Sequence, residues 1–279
     1  MPKRGGNISL TSYDDIFETD ESRAESQLER VQNISISELV PFKDHPFKVV
    51  DDEAMLRTTE SIAQYGVLTP LIARPLEDGG YEIISGHRRA HAAEMAGLAE
   101  VPVLVRDMDD DAATVLMVDS NLQRESILPS ERAFAYKMKL EAMKHQGQRN
   151  DLTSSQVGTK LRTDQAMAEE LGESRNQIQR YIRLTNLIPE ILDMVDDGRI
   201  AFRPAVELSY LTEQEQSALY DTMGREDCTP SLAQAIKMKA FSRDGKLTDA
   251  VILSIMAEEK PNQKEQFRIP KERISKYFK

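Results

Sequence analysis

The sequence predicts an α+β domain followed by an all-α domain, on three observations. Short apolar runs of strand length alternate with helical stretches only as far as about residue 107. From Asp111 onward the strand signals stop and apolar residues recur at helical spacing. Inside that helical half, one helix ends at a glycine and a second, capped helix follows at once, the pattern of a sharp helix-to-helix reversal. At 279 residues the chain is long enough for two such domains, each burying its own core.

The elements follow in order. Residues 1–33 are acidic, polar and without a sustained period, so they read as a flexible arm. Structure is expected from about Ile34, where "ISISELV" alternates as a half-buried strand does. "DDEAMLRTTESIAQYG" places Met55, Leu56, Ile62 and Ala63 at helical spacing, with Gly66 as its stop. "LTPLIARP" and "YEIIS", split by "LEDGG", read as two strands joined by a hairpin or loop. "GHRRAHAAEMAG" is a short helix closed by Gly97, and "VPVLVRD" is a further strand. This α+β domain is assigned to residues 34–126. A long helix should open at Pro129 and Ser130, a missing amide hydrogen and a capping hydroxyl. "GQRNDLTSSQVGTKLR" is a polar interruption read as a loop. Residues 127–240 form the all-α domain, and residues 241–279 a helical C-terminal segment.

Composition narrows the function classes. One cysteine, Cys228, allows no intrachain disulfide and no thiolate pair for zinc, and it fits a reducing cytoplasm. No apolar run reaches the roughly 20 residues that span a bilayer, so no membrane partner is expected. A net charge of −11 argues on its face against nucleic acid. The charge is uneven, however: residues 1–60 hold 7 Lys+Arg against 13 Asp+Glu, a net of −6, whereas residues 137–183 hold 9 against 6, a net of +3. His45, His145 and Cys228 are isolated and read as structural or incidental.

That basic segment contains "DQAMAEELGESRNQIQRYIRLTNL". Its first helix ends at Leu171, Gly172 supplies the left-handed reversal, and Ser174 with Gln177 forms a capping box that starts the second helix. At 100° per residue, Ile178, Tyr181, Ile182 and Thr185 share one face, while Asn176, Gln179, Arg180 and Arg183 lie on or toward the other. That outer face carries no acid in a chain with 47 acidic residues, and its arginines and amides suit guanine and adenine edges. Arg175 and Gln177 flank it, placed to touch phosphate or complete the cap. The helix is expected to read double-stranded DNA, as a homodimer on an inverted repeat.

The second stretch of interest is "YEIISGHRRAHAAEMAGL". His87 and His91 are four apart, as two metal ligands on one helix would be, yet Arg88 and Arg89 lie between them and the general base of a zinc-protease helix is missing after His87. A strand running through Gly86 into a helix start instead aims free N–H groups at one spot, where Arg88 and Arg89 add forked donors for an anion. A solvated helix face remains the alternative.

"YEIISGHRRAHAAEMAGLAEVPVLVRD", "DSNLQRESILPSERAFAY" and the helix-turn-helix together resemble the ParB family of chromosome and plasmid partition proteins, from about Ile34 to about residue 240. The family carries a "GERRxRA" box, an "ENLQR" box followed by Pro, Glu and Ala, and a central DNA-binding domain. "ELVPFKDHPFKV" stands where its first N-terminal box lies. The resemblance implies a protein that binds a centromere-like inverted repeat, closes as a sliding clamp on CTP, hydrolyses CTP slowly and stimulates a ParA-type Walker ATPase. It places the chain in the cytoplasm, on nucleoid or plasmid. Carried over, the nucleotide site comprises Gly86, His87, Arg88, Arg89 and His91 with Asn121, Gln123 and Arg124, and Asn121 is the candidate Mg2+ ligand. Three positions depart from the pattern: His87 replaces Glu, His91 replaces the last Arg of its box, and Ser120 replaces the Glu before Asn121. A serine hydroxyl is a poorer ligand for a hard cation than a carboxylate. The end at "FRIPKERISKYFK" leaves little room for the family's usual dimerisation module. Two other readings compete: a helix-turn-helix transcription regulator with a ParB-like interaction domain, and a ParB-like nuclease, which would need a carboxylate cluster for metals.

Overall fold

The structure is a computed structural model, and it describes residues 30–124, 126–151 and 163–258. Most of the acidic arm, part of the polar interruption and the end of the C-terminal segment lie outside those residues. The chain divides into two compact units, residues 1–121 and 122–279. The first is α+β and the second all-α among the described residues, as the sequence predicts.

In the first unit, strands β1 (Val31–Ser35), β2 (Leu39–Pro41), β3 (Leu71–Pro75), β4 (Tyr81–Ser85) and β5 (Glu100–Val105) form one sheet in the order β1-β5-β3-β4-β2. The β3–β4 and β1–β5 pairs are antiparallel, while β3–β5 and β2–β4 are parallel. The expected single strand over "ISISELV" is corrected here. A 3₁₀ turn at Ile36–Glu38 breaks it, the Ile36 N–H turns to the Ala99 carbonyl, and the two strand pieces lie at opposite edges of the sheet. The alternation itself falters there, with polar Ser37 and Glu38 followed by apolar Leu39 and Val40. The hairpin is as expected: Gly79 and Gly80 have φ of 91° and 80°, and the Leu76 N–H donates to the Gly80 carbonyl.

Helices α1 (Glu53–Tyr65) and α2 (His87–Met95) pack with the sheet. Met55 and Ile62 from α1 and Ala90, Ala92 and Ala93 from α2 are buried with Leu71, Ala73, Ile83, Val101 and Val103. Small alanines let α2 approach closely, which brings its N-terminus down beside β3. Cross-strand partners Arg74 and Glu82 form an ion pair of 2.6 Å, with side chains only 13% and 8% exposed. Glu82 also accepts the Lys43 N–H at 3.1 Å, and Arg74 reaches Asp110 at 2.6 Å. These bonds fix the segment after β2 and the start of α3 (Asp110–Leu122) to the same strand pair.

The second unit comprises α4 (Pro129–Asp151), α5 (Thr163–Leu171), α6 (Arg175–Leu184), α7 (Pro189–Asp196), α8 (Phe202–Leu208), α9 (Glu213–Glu226), α10 (Leu232–Arg243) and α11 (Asp249–Met256). The helix expected to end before the interruption runs on to Asp151. Pro129 opens α4 as predicted, but the Ser130 hydroxyl does not cap its own helix: it donates to Asp196, whose other oxygen accepts the Ser130 N–H at 2.9 Å. Two apolar clusters hold the unit. One joins Ala133 and Leu184 with residues of α7 to α11, and the other joins Tyr136, Leu140, Met167, Ala168 and Ile178. The recognition-type helix α6 thus contributes Leu184 to one core and Ile178 to the other.

Candidate functional site

Gly86 stands between β4 and α2 at φ 105°. The backbone conformation favours glycine, and a Cβ there would sit tightly, 3.0 Å from Leu71 Cγ and 3.1 Å from Arg89 Nη2. No side chain caps α2, and its first intrahelical bond is the Ala90 N–H to the Gly86 carbonyl. The N–H groups before it are therefore free for an anion at the positive end of the helix.

The two arginines are held, each differently. Arg89 donates through Nη1 to the Thr69 and Pro70 carbonyls, the latter at 2.8 Å, and burial lowers its pKa from the usual arginine value. Arg88 pairs with Asp52 at 3.2 Å. Asp52 caps α1 by accepting the Met55 N–H at 2.8 Å, and that bond, followed by Arg88, holds its carboxyl below the usual range. His91 adds a second tie, from Nε2 to Asp51 at 2.8 Å. The N-termini of α1 and α2 are thus stitched together by two acid–base pairs.

His87 faces elsewhere. Its Nε2 accepts the Phe42 N–H at 3.2 Å, which places the ring proton on Nδ1. Its ring lies 3.8 Å from the His45 ring, and burial, then the neighbouring His45, pushes its pKa down to about 3. His87 is therefore neutral at ordinary pH and ties the first-box segment to α2. The two histidines expected to be weighed as metal ligands point to different partners. Among the described residues no group of three His, Cys, Asp or Glu side chains gathers to hold a metal.

Clefts open on two sides of α2. One, of about 340 Å³, is lined by Arg57, Thr58, Ser61, Gly66, Leu68, Thr69 and Arg89. The other, of about 390 Å³, is lined by Asp51, Ile83, His87, Ala90, His91 and Glu94 among others. Of the predicted box residues, Arg89 lines the first cleft, His87 and His91 the second, and Gly86 and Arg88 neither. Asn121 closes the first unit, donating from Nδ2 to the Met117 carbonyl at 2.9 Å within its own helix, and Ser120 bonds the same carbonyl. Gln123 and Arg124 open the second unit, the former exposed and the latter half-buried. Among the described residues no hydrogen bond or ion pair joins Asn121 to the arginine-bearing helix. A triphosphate fits the donor set of α2. A protein-built magnesium site does not fit Ser120 and Asn121: neither supplies a carboxylate, and the Ser120 hydroxyl is bonded to the Met117 carbonyl.

In the second unit, Gly172 (φ 65°) and Glu173 close α5 by hydrogen bonds to the Glu169 and Ala168 carbonyls, the Schellman pattern. Ser174 caps α6, accepting the Gln177 N–H at 3.2 Å. The return bond of the expected capping box is not made among the described residues. Ile178 is fully buried and Tyr181 and Ile182 are half-buried, as the pattern predicts. Asn176 and Arg180 are exposed and bond to nothing among the described residues, and Gln177 and Gln179 are half-buried. The flanking arginines are engaged inside the protein. Arg175 Nε bonds Asp164, while Arg183 donates to the Ser209 carbonyl at 2.7 Å and lies 3.9 Å from the Tyr210 ring centroid. Lys239 sits 3.4 Å from the same centroid. The sequence reading missed the partners that hold these groups: Asp51 and Asp52, the Thr69 and Pro70 carbonyls, and Phe42. Of these only Asp52 left a signal, as an N-cap residue ahead of a periodic helix.

Comparison with known proteins gives two matches to family models, a ParB N-terminal domain over residues 20–122 and a ParB HTH domain over residues 153–236. The stage 0 sporulation protein J of Bacillus subtilis is 36% identical over 173 residues, 62% of this chain, and the chain spans only 55% of that protein's length. A probable chromosome-partitioning protein ParB of Pseudomonas putida is 30% identical over 219 residues, covering 77% of this chain and 70% of the relative. Among solved structures, C-terminally truncated ParB from Caulobacter crescentus complexed to the centromeric parS site is 26% identical, with TM-score 0.44, over 76% of this chain and 99% of that one. The same protein complexed with CTP-gamma-S is 28% identical, with TM-score 0.33, over 70% of this chain and 98% of that one. No helix among the described residues is long and apolar enough to cross a membrane.

Proposed function

Since the chain belongs to the ParB family, we propose that it is a sequence-specific DNA-binding partition protein that couples DNA binding to a cytidine nucleotide. The observation that carries this reading is α6 itself. Its inner face is locked into two cores, while Asn176 and Arg180 stand exposed, bonded to nothing among the described residues, on an outer face that carries no acid. A helix fixed in place with free amide and guanidinium donors can read base edges in a major groove. One such helix spans only a few base pairs, so two copies on an inverted repeat are required. Ser174 and Arg175 at the front of α6 lie where phosphate contacts set the register.

The nucleotide half rests on α2. CTP, when bound, would supply a triphosphate whose negative charge suits the positive end of α2. Gly86 lets the chain approach that triphosphate closely, the free N–H groups of His87, Arg88 and Arg89 receive it, and Arg88 adds a cation. Arg89 is anchored to backbone carbonyls and fixes the wall of the cleft. Closure of a clamp, slow hydrolysis, and stimulation of a ParA-type ATPase are proposed on family membership. No step is assigned to magnesium, because the residues at Ser120 and Asn121 offer it no carboxylate.

Calorimetry with CTP, ATP, GTP and UTP, each with and without duplex DNA, tests the nucleotide half. CTP is expected to bind in preference to the other three, and Arg88→Ala to weaken it about tenfold, the worth of one charge-assisted hydrogen bond. Equal binding of all four nucleotides, or none, would reject it.

A further inference from the structure

Glu173 is the one acid between Gly172 and Thr185, and it sits at the turn where α5 ends and α6 begins. An acid there would face DNA phosphates if it were turned outward. It is turned inward. Tyr136 on α4 donates its hydroxyl to Glu173 Oε1 at 2.9 Å, and Arg132, one turn earlier on α4, lies 3.8 Å from the same oxygen. Arg132 also donates to the Tyr181 hydroxyl at 3.4 Å, with its guanidinium 5.3 Å from the Tyr181 ring centroid. The rings of Tyr136 and Tyr181 meet edge to face at 5.6 Å, and Tyr181 leans on Phe202 of α8 at 4.6 Å. Burial, then Glu173, raises the Tyr136 pKa, so its hydroxyl keeps the proton it donates.

Two parts of the DNA-reading element are thereby tied to one helix. Glu173 belongs to the turn that sets the angle of α6, and Tyr181 belongs to α6 itself. Both are gripped by Arg132 and Tyr136, four residues apart on the same face of α4. The backbone bonds of Gly172 and Glu173 end α5 but leave the direction of α6 to the side chains that follow.

We propose that Glu173, gripped by Tyr136 and Arg132, is a positioning residue for DNA reading: it fixes the angle at which α6 is presented and keeps the turn's carboxylate away from the phosphates. This inference rests on the proposed DNA reading by α6. A merely structural glutamate would lower folding stability and weaken all DNA binding together. A positioning residue changes the ratio of selected to unselected DNA, because phosphate contacts tolerate a tilt that base contacts do not.

The test uses the full chain and two duplexes: the inverted repeat that the wild-type chain enriches from a randomised library, and a scrambled duplex of the same composition. Tyr136→Phe removes one hydroxyl and keeps the packing, Glu173→Ala removes the carboxylate, and Glu173→Gln keeps an acceptor for Tyr136. Tyr136→Phe and Glu173→Ala should each lower the selected-to-scrambled affinity ratio about tenfold, the low end of what one hydrogen bond to a charged group is worth. Their double variant should lose little more, as two members of one contact do, and Glu173→Gln should recover most of the ratio. Parallel losses on both duplexes, or an unchanged ratio in Tyr136→Phe and Glu173→Ala, would overturn the inference. A wild-type chain that enriches no sequence would bring down the DNA-reading proposal, and this inference with it.

Discussion

The two arginine-bearing helices, α2 and α6, begin alike and are used differently. Each follows a glycine with positive φ, 105° at Gly86 and 65° at Gly172, and each carries arginine in its first turn, Arg88 and Arg89 on α2 and Arg175 on α6. On α2 both arginines are spoken for, Arg88 by Asp52 and Arg89 by two backbone carbonyls. On α6 Arg175 and Arg183 are anchored to Asp164 and Ser209, whereas Arg180 between them is exposed and bonds to nothing among the described residues. Cations held in advance shape a cleft for a small anion, since they are already oriented when it arrives. A cation left to solvent suits a large, flat partner that must be searched, because its long side chain can adjust to the base it meets.

Perturbing the first helix most severely should have the largest effect. Gly86→Val forces a β-branched residue into a left-handed conformation, at about 1–3 kcal/mol of strain, and its Cβ presses on the Leu71 and Arg89 side chains, which would have to give by a few tenths of an ångström. Chemical denaturation of the variant should show an early transition of the first unit, and nucleotide binding should be lost. An unshifted transition would mean that the Gly86 geometry is not needed.

On the second helix the effect should be smaller and confined to recognition. Arg180 is exposed and bonds to nothing among the described residues, so the melting temperature of Arg180→Ala should stay near that of the wild type. Affinity for the selected duplex should fall by about 1–3 kcal/mol, with preference relaxed at one position of each half-site. A uniform loss over all sequences would make Arg180 a phosphate contact instead.

The smallest effect concerns His87 and depends on pH. Its folded pKa of about 3 lies below the ordinary histidine value. The unfolded chain therefore takes up this proton first, so the stability tied to neutral His87 is present above pH about 6.5 and is lost progressively toward the folded value. His87→Gln retains an acceptor for the Phe42 N–H but does not titrate. Between pH about 5 and about 7, where most carboxylates stay ionised, the variant's urea midpoint should vary less with pH than that of the wild type. Identical slopes would show that His87 does not carry the dependence.

What was legible in the sequence was local. The β3–β4 hairpin follows from "LEDGG", the reversal from Gly172, and the inner face of α6 from the spacing of Ile178, Tyr181 and Ile182. What was not legible was long-range. Arg88 meets Asp52 across 36 residues, Arg89 meets Pro70 across 19, and Tyr136 meets Glu173 across 37, so no window of helical or strand period contains these pairs. The same reason explains Ser130, whose hydroxyl served Asp196, 66 residues away, in place of its own helix. Arg183 looked like Arg180 by spacing, and only the packing of α8 beside α6 separates their environments. The arginine box and the "DSNLQR" box were joined by family resemblance, and each keeps its own local bonds here.

The claim that α6 reads sequence is tested most directly by enrichment from a randomised duplex library with wild-type and Arg180→Ala chains side by side. The account predicts that the wild type enriches an inverted repeat and that the variant enriches the same repeat with one position per half-site relaxed. Enrichment of no sequence by the wild type, or an identical repeat from both chains, would contradict it.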